Sequence, residues 1–320
     1  MKESEKSGMI LGIVIPCYNE EKSLDEMTKS LEDVFEKLVG KNLISKESFV
    51  CYVDDGSQDD TWAKICALKT VYPFVRGLKL SRNFGQQNAL IAGMMHFRDQ
   101  ADAIITMDAD MQDDINKIEA FVAKYQQGYD IIYGIREKRT HDRAWKKWSA
   151  NAFYRLQQMM GIESVPNHAH YRLLSAKALR ALADFKEIDM YLRGVIPLIG
   201  YRSCTIPYQR QKRFSGESKY NIASLFSLAF DGITSFSIIP LRLITMMGLL
   251  LFLFSLGMIV WIFMEKIVYE RAVAGWASVM TSIYFIGGIQ MMSLGIIGEY
   301  IGRIFKQSKA RPRYIVEEEV

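Results

Sequence analysis

The chain has 320 residues, 49% hydrophobic and 24% charged, which suits one full-sized soluble domain with a smaller domain or membrane helices and excludes a disordered chain. Forty Lys and Arg against 36 Asp and Glu leave a net charge of +4, without the concentrated basic face that nucleic-acid binding requires. The four cysteines, Cys17, Cys51, Cys66 and Cys204, stand singly with no zinc-ligand spacing and read as buried thiols of a reducing compartment.

The opening MKESEKSGMILGIVIP has an apolar run that stops at Pro16 and no small-residue cleavage site, so a strand is expected there rather than a secretory leader. From residue 10 to 135 short β-rich runs, ILGIVIP, FVCYVD, VRGLKLS, AIITMD and DIIYGI, alternate with stretches of helical spacing such as Leu24, Met27, Leu31, Val34, Phe35 and Leu38. That alternation predicts repeated βαβ units: an α/β fold with an open, mostly parallel sheet covered by helices on both faces. In such sheets ligands lie outside the carboxyl ends of the strands. The polar motifs fall there. The first strand runs into Pro16, Cys17, Tyr18, Asn19 and Glu20, the second into Asp54, Asp55, Gly56 and Ser57, and the fourth into Asp108, Ala109 and Asp110.

The fourth of these ends is the most informative. Asp108, Asp110, Asp113 and Asp114 crowd into MDADMQDD, where each close pair repels by roughly 1 kcal/mol even in water. Asp108 and Asp110 leave the strand on alternate positions, so both can reach one hard cation, with Gln112 adding a carbonyl oxygen. Mg2+ or Mn2+ held by a few carboxylates and a substrate phosphate is the usual form of such a site. The alternative is helix capping, which is the expectation for Asp113 and Asp114. Asn19 as an N-cap and an Asx-type turn at Asp55-Gly56 are the corresponding structural readings of the other two strand ends.

Residues 141 to 210 are less regular, with a helical stretch over Trp145–Met160, a mixed piece HAHYRLLS, and CTIPYQRQKR leading to RFSGESKY. They read as the acceptor side of the same domain. Leu243–Met264 and Ala277–Gly298 are each 22 residues without charge, about 33 Å as helices, and are expected to span a membrane. Arg303, Lys306, Lys309, Arg311 and Arg313 follow the second run and Arg210, Lys212, Arg213, Lys219 and Arg242 precede the first, whereas the connector has only Lys266 and Arg271 against Glu265 and Glu270. The positive-inside rule then puts both ends in the cytoplasm. Asn221–Pro240 is expected to lie in the interface as an amphipathic helix. The organisation expected is a catalytic domain over 1–215, an interfacial helix over 216–240, a two-helix transmembrane hairpin over 241–305, and a charged tail over 306–320.

Taken together, VIPCYNEE, VDDGSQDDT, SRNFGQQNALIAG and MDADMQDD resemble the family 2 glycosyltransferases, whose nucleotide-binding fold is called GT-A. GIREKR, YRLLSAKAL, FSGESKY, DGITSFSIIPLRL and the paired apolar runs resemble the bactoprenol (undecaprenyl) phosphate glucosyltransferase branch, related to dolichol-phosphate mannose synthase. The likeness spans roughly residues 9 to 305. It implies that Pro16, Tyr18, Glu20, Asp54, Asp55 and Asp108 hold the nucleotide, and that Asp108, Asp110 and Gln112 hold Mg2+ or Mn2+ on the diphosphate, making both carboxylates catalytic. It makes Arg136, Arg139, Arg213, Ser215 and Lys219 candidates for the acceptor phosphate, although basic residues beside a membrane also serve simply to attract anionic lipid.

One position departs from the pattern. Relatives usually carry Asp two residues before the Arg of this stretch, where this chain has His170. His170 is a candidate to position the phosphate or accept a proton, a role it shares as a candidate with His168, or a structural residue. The function implied is inverting transfer of a hexose, glucose first, from a UDP-sugar to undecaprenyl phosphate at the cytoplasmic face of a bacterial plasma membrane. The same chemistry with GlcNAc, mannose or aminoarabinose, or a non-catalytic nucleotide-sugar-binding scaffold, stands as the alternative. Homo-oligomers are expected from Gly287, Gly288, Gly295 and Gly298, which permit close helix packing.

Overall fold

A computed structural model describes residues 8–136, 168–188, 190–209 and 275–320, with single residues and short pieces between 241 and 261. The chain forms two compact units, one holding nearly all of the N-terminal two thirds together with Pro312–Val320, the other holding Ile222–Arg311.

The first unit is built on a sheet. β1 (Leu11–Cys17) and β2 (Phe49–Asp54) are buried along their whole length, as expected of continuous apolar runs covered on both faces. α1 (Leu24–Gly40) follows β1 and buries Leu24, Met27, Leu31, Phe35 and Leu38, the stripe read from the sequence. Asp25 and Glu26 stand in its first turn and Lys37 in its last, each favourable to the helix dipole. After β2 come α2 (Thr61–Val71), β3 (Val75–Leu80), α3 (Gln86–Phe97) and β4 (Ala103–Thr106). A short 3-10 turn (Ile115–Lys117) and α4 (Ile118–Gln126) lead to β5 (Ile131–Arg136). Beyond the gap lie β6 (His168–Ser175), α5 (Ala176–Ala183), α6 (Leu192–Leu198) and β7 (Ser203–Tyr208). The fold closes with α7 (Trp276–Ser308) and β8 (Val316–Glu319).

Strand order is β7-β5-β6-β4-β1-β2-β3-β8. The neighbours from β3 through β2 and β1 to β4 are all parallel, and β5 pairs parallel with β7. The α/β, mostly parallel sheet is therefore present, with two additions. The piece HAHYRLLS is a full strand, β6, inserted antiparallel between β4 and β5. Its alternation is weak because both of its faces are covered: Tyr171, Arg172, Leu173, Leu174 and Ser175 are all buried. The second addition corrects the expected tail over 306–320. α7 runs on to Ser308, and Val316–Glu319 form an exposed acidic strand antiparallel to β3. A charged strand is a suitable cover for a sheet edge. It is held by Gly77, whose N–H and carbonyl both bond Val320 (2.8 and 3.0 Å), by Trp62 Nε1 donating to Glu318 Oε2 (3.0 Å), by the ion pair Lys79–Glu317, and by the contact of His96 Nε2 with Glu319 Oε1 (3.0 Å).

The order in which strands are added to the sheet reverses between β1 and β4, since β2 and β3 lie on one side of β1 and β4 on the other. This is the switch point at which a crevice opens beyond the strand ends. α3 covers β1 and β2 there through Gly93, where a Cβ would sit 2.5 Å from Val14 Cγ1 and 2.9 Å from Val53 Cγ2.

In the second unit, α7 includes Phe285–Ser308, 24 residues, the one helix among the described residues long and apolar enough to cross a membrane. It extends past the expected end at Gly298. Leu243–Met264 lies mostly outside the described residues, although 244–250 are helical. Trp145–Met160, Asn221–Pro240 and the connector's Tyr269 also lie outside them.

Gly93→Ala should add about 1 kcal/mol of helix propensity and lose about 1–3 kcal/mol to overpacking between two buried valines. The expected net result is a lower thermal unfolding midpoint, and an unchanged or higher one would show that α3 can lift away from the sheet.

Candidate active site

The first two strand ends are stitched together by side chains. Asn19 adopts a left-handed conformation (φ 57°); its N–H donates to Ser57 Oγ (3.0 Å), and its Oδ1 accepts from the Gln58 N–H (2.8 Å). The Glu20 N–H donates to Thr61 Oγ1 (3.0 Å), and the Glu20 carboxylate accepts from Ser23 Oγ (3.2 Å). Asn19 is thus a brace between two loops rather than the N-cap of α1, a position held by Ser23. Pro16 lies within β1 opposite Val53, and Tyr18 just past the strand is 36% exposed.

Asp54 and Asp55 are both buried, and burial raises both carboxyls above the usual range. Their partners differ. Asp55 accepts from the N–H groups of Phe84 (2.7 Å) and Gly85 (2.9 Å), one on each oxygen, and so clamps the loop that starts α3. Asp54 makes the turn, accepting from the Ser57 N–H (3.1 Å) on Oδ1, while its Oδ2 is buried with no hydrogen-bond partner among the described residues. Gly56 allows the clamp: at φ 68° its Cα faces the Arg82 carbonyl carbon so closely that a Cβ would stand 2.4 Å away.

Across the switch point, Asp108 follows β4 with its side chain 17% exposed. Oδ1 accepts from Gln86 Nε2 (2.8 Å), Oδ2 lies 3.9 Å from Arg136 Nη2, and the Asp108 N–H donates to Asp113 Oδ2 (3.2 Å). Burial, then the charges of Asp113 and Asp110, push the Asp108 carboxyl up to about 7. The chain turns through Met111 at φ 56°, an uncommon conformation for a residue other than Gly, Asn or Asp. The turn lets Asp110 Oδ1 accept from the Gln112 N–H (3.2 Å). Gln112 is 8% exposed and its Oε1 is buried with no hydrogen-bond partner among the described residues.

This donor set fits a hard divalent cation. Two carboxylates and a dehydrated amide oxygen that lacks a donor are ligands Mg2+ or Mn2+ accepts. Among the described residues no three His, Cys, Asp or Glu side chains are grouped to hold a metal ion, so a cation here would need ligands from a bound phosphate as well. Of the two aspartates expected as caps, Asp114 does cap the 3-10 turn, accepting from the Asn116 N–H (3.1 Å). Asp113 does not: it is buried and accepts from Tyr208 OH (2.6 Å).

The third side of the crevice comes from β5, β6 and β7. Arg136 ends β5 opposite Tyr208, and its Nε donates to the Tyr208 hydroxyl (3.2 Å). Arg172 of β6 is 1% exposed, paired in register with Thr106 and Tyr133; burial, then the charge of Arg193, lowers its pKa to about 10. Two residues away, His170 accepts a hydrogen bond from the Thr106 hydroxyl on its carbonyl and has Nδ1 3.5 Å from Arg172 Nη2. The register of β6 on β4 puts His170 beside the strand end from which Asp108 follows. Arg139, Arg213, Ser215 and Lys219 lie outside the described residues, and of His168 only its place in β6 is described.

Gln86, Asp113, Arg172 and Tyr208 were not singled out as site residues from the sequence. Asp113 carried a signal, its place in the acidic run. The others carried none, because each becomes relevant only through a neighbour distant in the chain.

Comparison with known proteins agrees with this geometry. The model of "Glycosyl transferase family 2" matches residues 12–183, and that of the "GtrB C-terminal hairpin" matches residues 239–304. The chain is 42% identical to the uncharacterized glycosyltransferase YkoT of Bacillus subtilis, over 99% of this chain and 93% of that one. It is 35% identical to the prophage bactoprenol glucosyl transferase homolog of Escherichia coli K12 and 34% identical to the bactoprenol glucosyl transferase of Shigella phage SfX, each over 97% of this chain and 99% of the relative. With the sheet order and the acidic switch-point crevice already in place, these matches establish that the chain belongs to glycosyl transferase family 2.

Proposed function

We propose that the protein transfers a hexose, glucose first, from a UDP-sugar to undecaprenyl phosphate, with inversion at the anomeric carbon, at the cytoplasmic face of a bacterial plasma membrane. The observation that carries this is the acidic turn after β4, in which Asp110 accepts from the Gln112 N–H, the Gln112 side-chain carbonyl is buried without a hydrogen-bond partner among the described residues, and Asp108 stands beside Arg136. Full-length similarity to proteins named bactoprenol glucosyl transferase supports the lipid acceptor and the sugar. The apolar helix Phe285–Ser308 and the hairpin match support the membrane.

Each residue has a role that follows from its surroundings. The buried, unpartnered Oδ2 of Asp54 is the acceptor assigned to the base or a ribose hydroxyl, and Tyr18 offers a ring for the base to stack on. Asp55 and Glu20 act by shaping the loops around it. Asp108, Asp110 and Gln112 hold Mg2+ or Mn2+, which supplies neutralisation of the charge on the leaving diphosphate. Arg136, already against Asp108, adds a guanidinium at the place where phosphates of donor and acceptor meet. A phosphate monoester has a second pKa near 6, so the attacking oxygen is an anion at neutral pH. A strong general base is not required, and His170 serves to orient the acceptor.

Two outcomes test this reading. Full-length protein with UDP-[14C]glucose, Mn2+ and undecaprenyl phosphate should form a labelled lipid, and Asp110→Asn should slow its formation by about a hundredfold or more. No glycolipid from any of the common UDP-sugars would sink the proposal.

The second outcome follows from linkage. Folding raises the Asp108 pKa from 3.8 to about 7, so between those values the folded state holds more protons than the unfolded, and metal-free stability falls as pH rises. Asp108→Asn should flatten that slope and raise the metal-free melting midpoint at about pH 8. Mn2+ with UDP should stabilise the wild type more at about pH 8 than at about pH 5, because the cation displaces the proton. A metal-induced shift independent of pH would contradict the assignment of Asp108.

A further inference from the structure

Between the ends of β4, β5 and β7 runs a circuit of three hydrogen bonds, completed by one longer charge contact, that contains two residues no ligand role accounts for. Asp113, 1% exposed, accepts from Tyr208 OH on Oδ1 (2.6 Å) and from the Asp108 N–H on Oδ2 (3.2 Å). The Tyr208 hydroxyl accepts in turn from Arg136 Nε (3.2 Å), and Arg136 Nη2 returns to Asp108 Oδ2 at 3.9 Å. Each contact removes one freedom. Asp113 fixes the peptide from which the Asp108 side chain departs, and Tyr208 fixes the guanidinium plane that faces it. Stapling a loop for stability alone would be served as well by an apolar contact, whereas a third carboxylate beside Asp108 and Asp110 adds repulsion. What the carboxylate of Asp113 provides, and an apolar side chain cannot, is two directed acceptors at once.

We propose that Asp113 and Tyr208 are positioning residues. They hold the Asp108 main chain and the Arg136 guanidinium in the arrangement in which Asp108 takes up a divalent cation together with a nucleoside diphosphate. The inference rests on the reading of Asp108 as a cation ligand. Tyr208 ends β7, and two residues later the chain enters the basic stretch Arg210–Lys219, so the same hydroxyl ties that stretch's point of departure to the cation site.

The test is a Mn2+ titration of UDP binding by calorimetry on the full-length protein in detergent, without turnover. Tyr208→Phe keeps the ring that packs edge-on against Tyr171 (centroids 5.3 Å) and removes only the hydroxyl. The Mn2+ concentration at half-saturation should rise about tenfold, the usual scale for loss of a group that orients a metal ligand. Tyr171→Phe is the control. It deletes a buried hydroxyl that donates to the Asp114 carbonyl (3.1 Å), outside the circuit, and should leave the Mn2+ constant unchanged even where it lowers the melting temperature. Asp113→Asn, with one acceptor oxygen in place of two, should weaken Mn2+ binding as well, and the double variant should be no worse than Asp113→Asn alone, because both break the same circuit.

A wild-type Mn2+ constant in Tyr208→Phe overturns the proposal, and so do losses that multiply independently in the double variant. Wild-type protein whose UDP binding ignores Mn2+ would overturn the cation reading itself and this inference with it, a result visible before any variant is made.

Discussion

Mutual repulsion among Asp108, Asp110 and Asp113 is the constraint around which the rest of the molecule is arranged. Like charges this close cost about 1 kcal/mol per pair in water and more where the surroundings are less polarisable, and Asp113 is fully enclosed. The fold holds them together by giving each a separate set of donors. Gln86 and Arg136 address Asp108, a main-chain N–H addresses Asp110, and Tyr208 with the Asp108 peptide addresses Asp113. What is left over is excess negative charge aimed at the crevice and an amide oxygen without a donor. On the proposed function, a bound cation would relieve both.

Such a site needs rigid walls, and the walls are loops. Loops lack the repeating hydrogen bonds of helix and sheet, so their backbone groups must find other partners. Here short polar side chains provide them. Asn19, Ser57 and Thr61 join the ends of β1 and β2, and Asp55 holds the start of α3 with both oxygens. Gly56 is the point at which the second loop comes too near for any side chain. Beneath them β1 and β2 are buried throughout and give the loops a fixed base. Adjacent residues of one acidic pair thereby acquire different surroundings: Asp55 is committed to the backbone with both oxygens, and Asp54 has one buried oxygen without a hydrogen-bond partner among the described residues.

Connectivity adds a further constraint. The chain leaves the sheet after β7, passes through the apolar unit, and returns to the opposite edge as β8. Trp62, Lys79 and Gly77 fasten that return, and Arg313 donates to the Phe185 carbonyl just ahead of it. The apolar unit is therefore an insertion within the catalytic unit's chain rather than an appendage at its end. The acidic run Glu317–Glu319 serves as an edge strand, since carboxylates along an edge discourage further strand pairing.

Much of this was legible in the amino-acid order alone. Short continuous apolar runs rich in β-branched residues, alternating with stretches of helical spacing, read as strands covered on both faces, and polar residues at their carboxyl ends mark the crevice, because both patterns arise from local chemistry repeated at short range. The acidic run, the five strands of the βαβ units and the stripe on α1 were read that way. The antiparallel strand His168–Ser175 and the edge strand Val316–Glu319 were not, since a strand acquires its identity from a partner distant in sequence, and neither shows an alternation of its own. The same holds for the site. Asp108 and Asp110 announced themselves by crowding, but the difference between Asp54 and Asp55, the capping by Asp114 and not Asp113, and the contacts through Tyr208 and Arg136 depend on which donors the packed sheet brings within hydrogen-bond distance. Composition and spacing determine what a residue is able to do, and only tertiary structure decides which neighbour it does it with, because hydrogen bonds and ion pairs act over ångströms in space and are indifferent to separation along the chain.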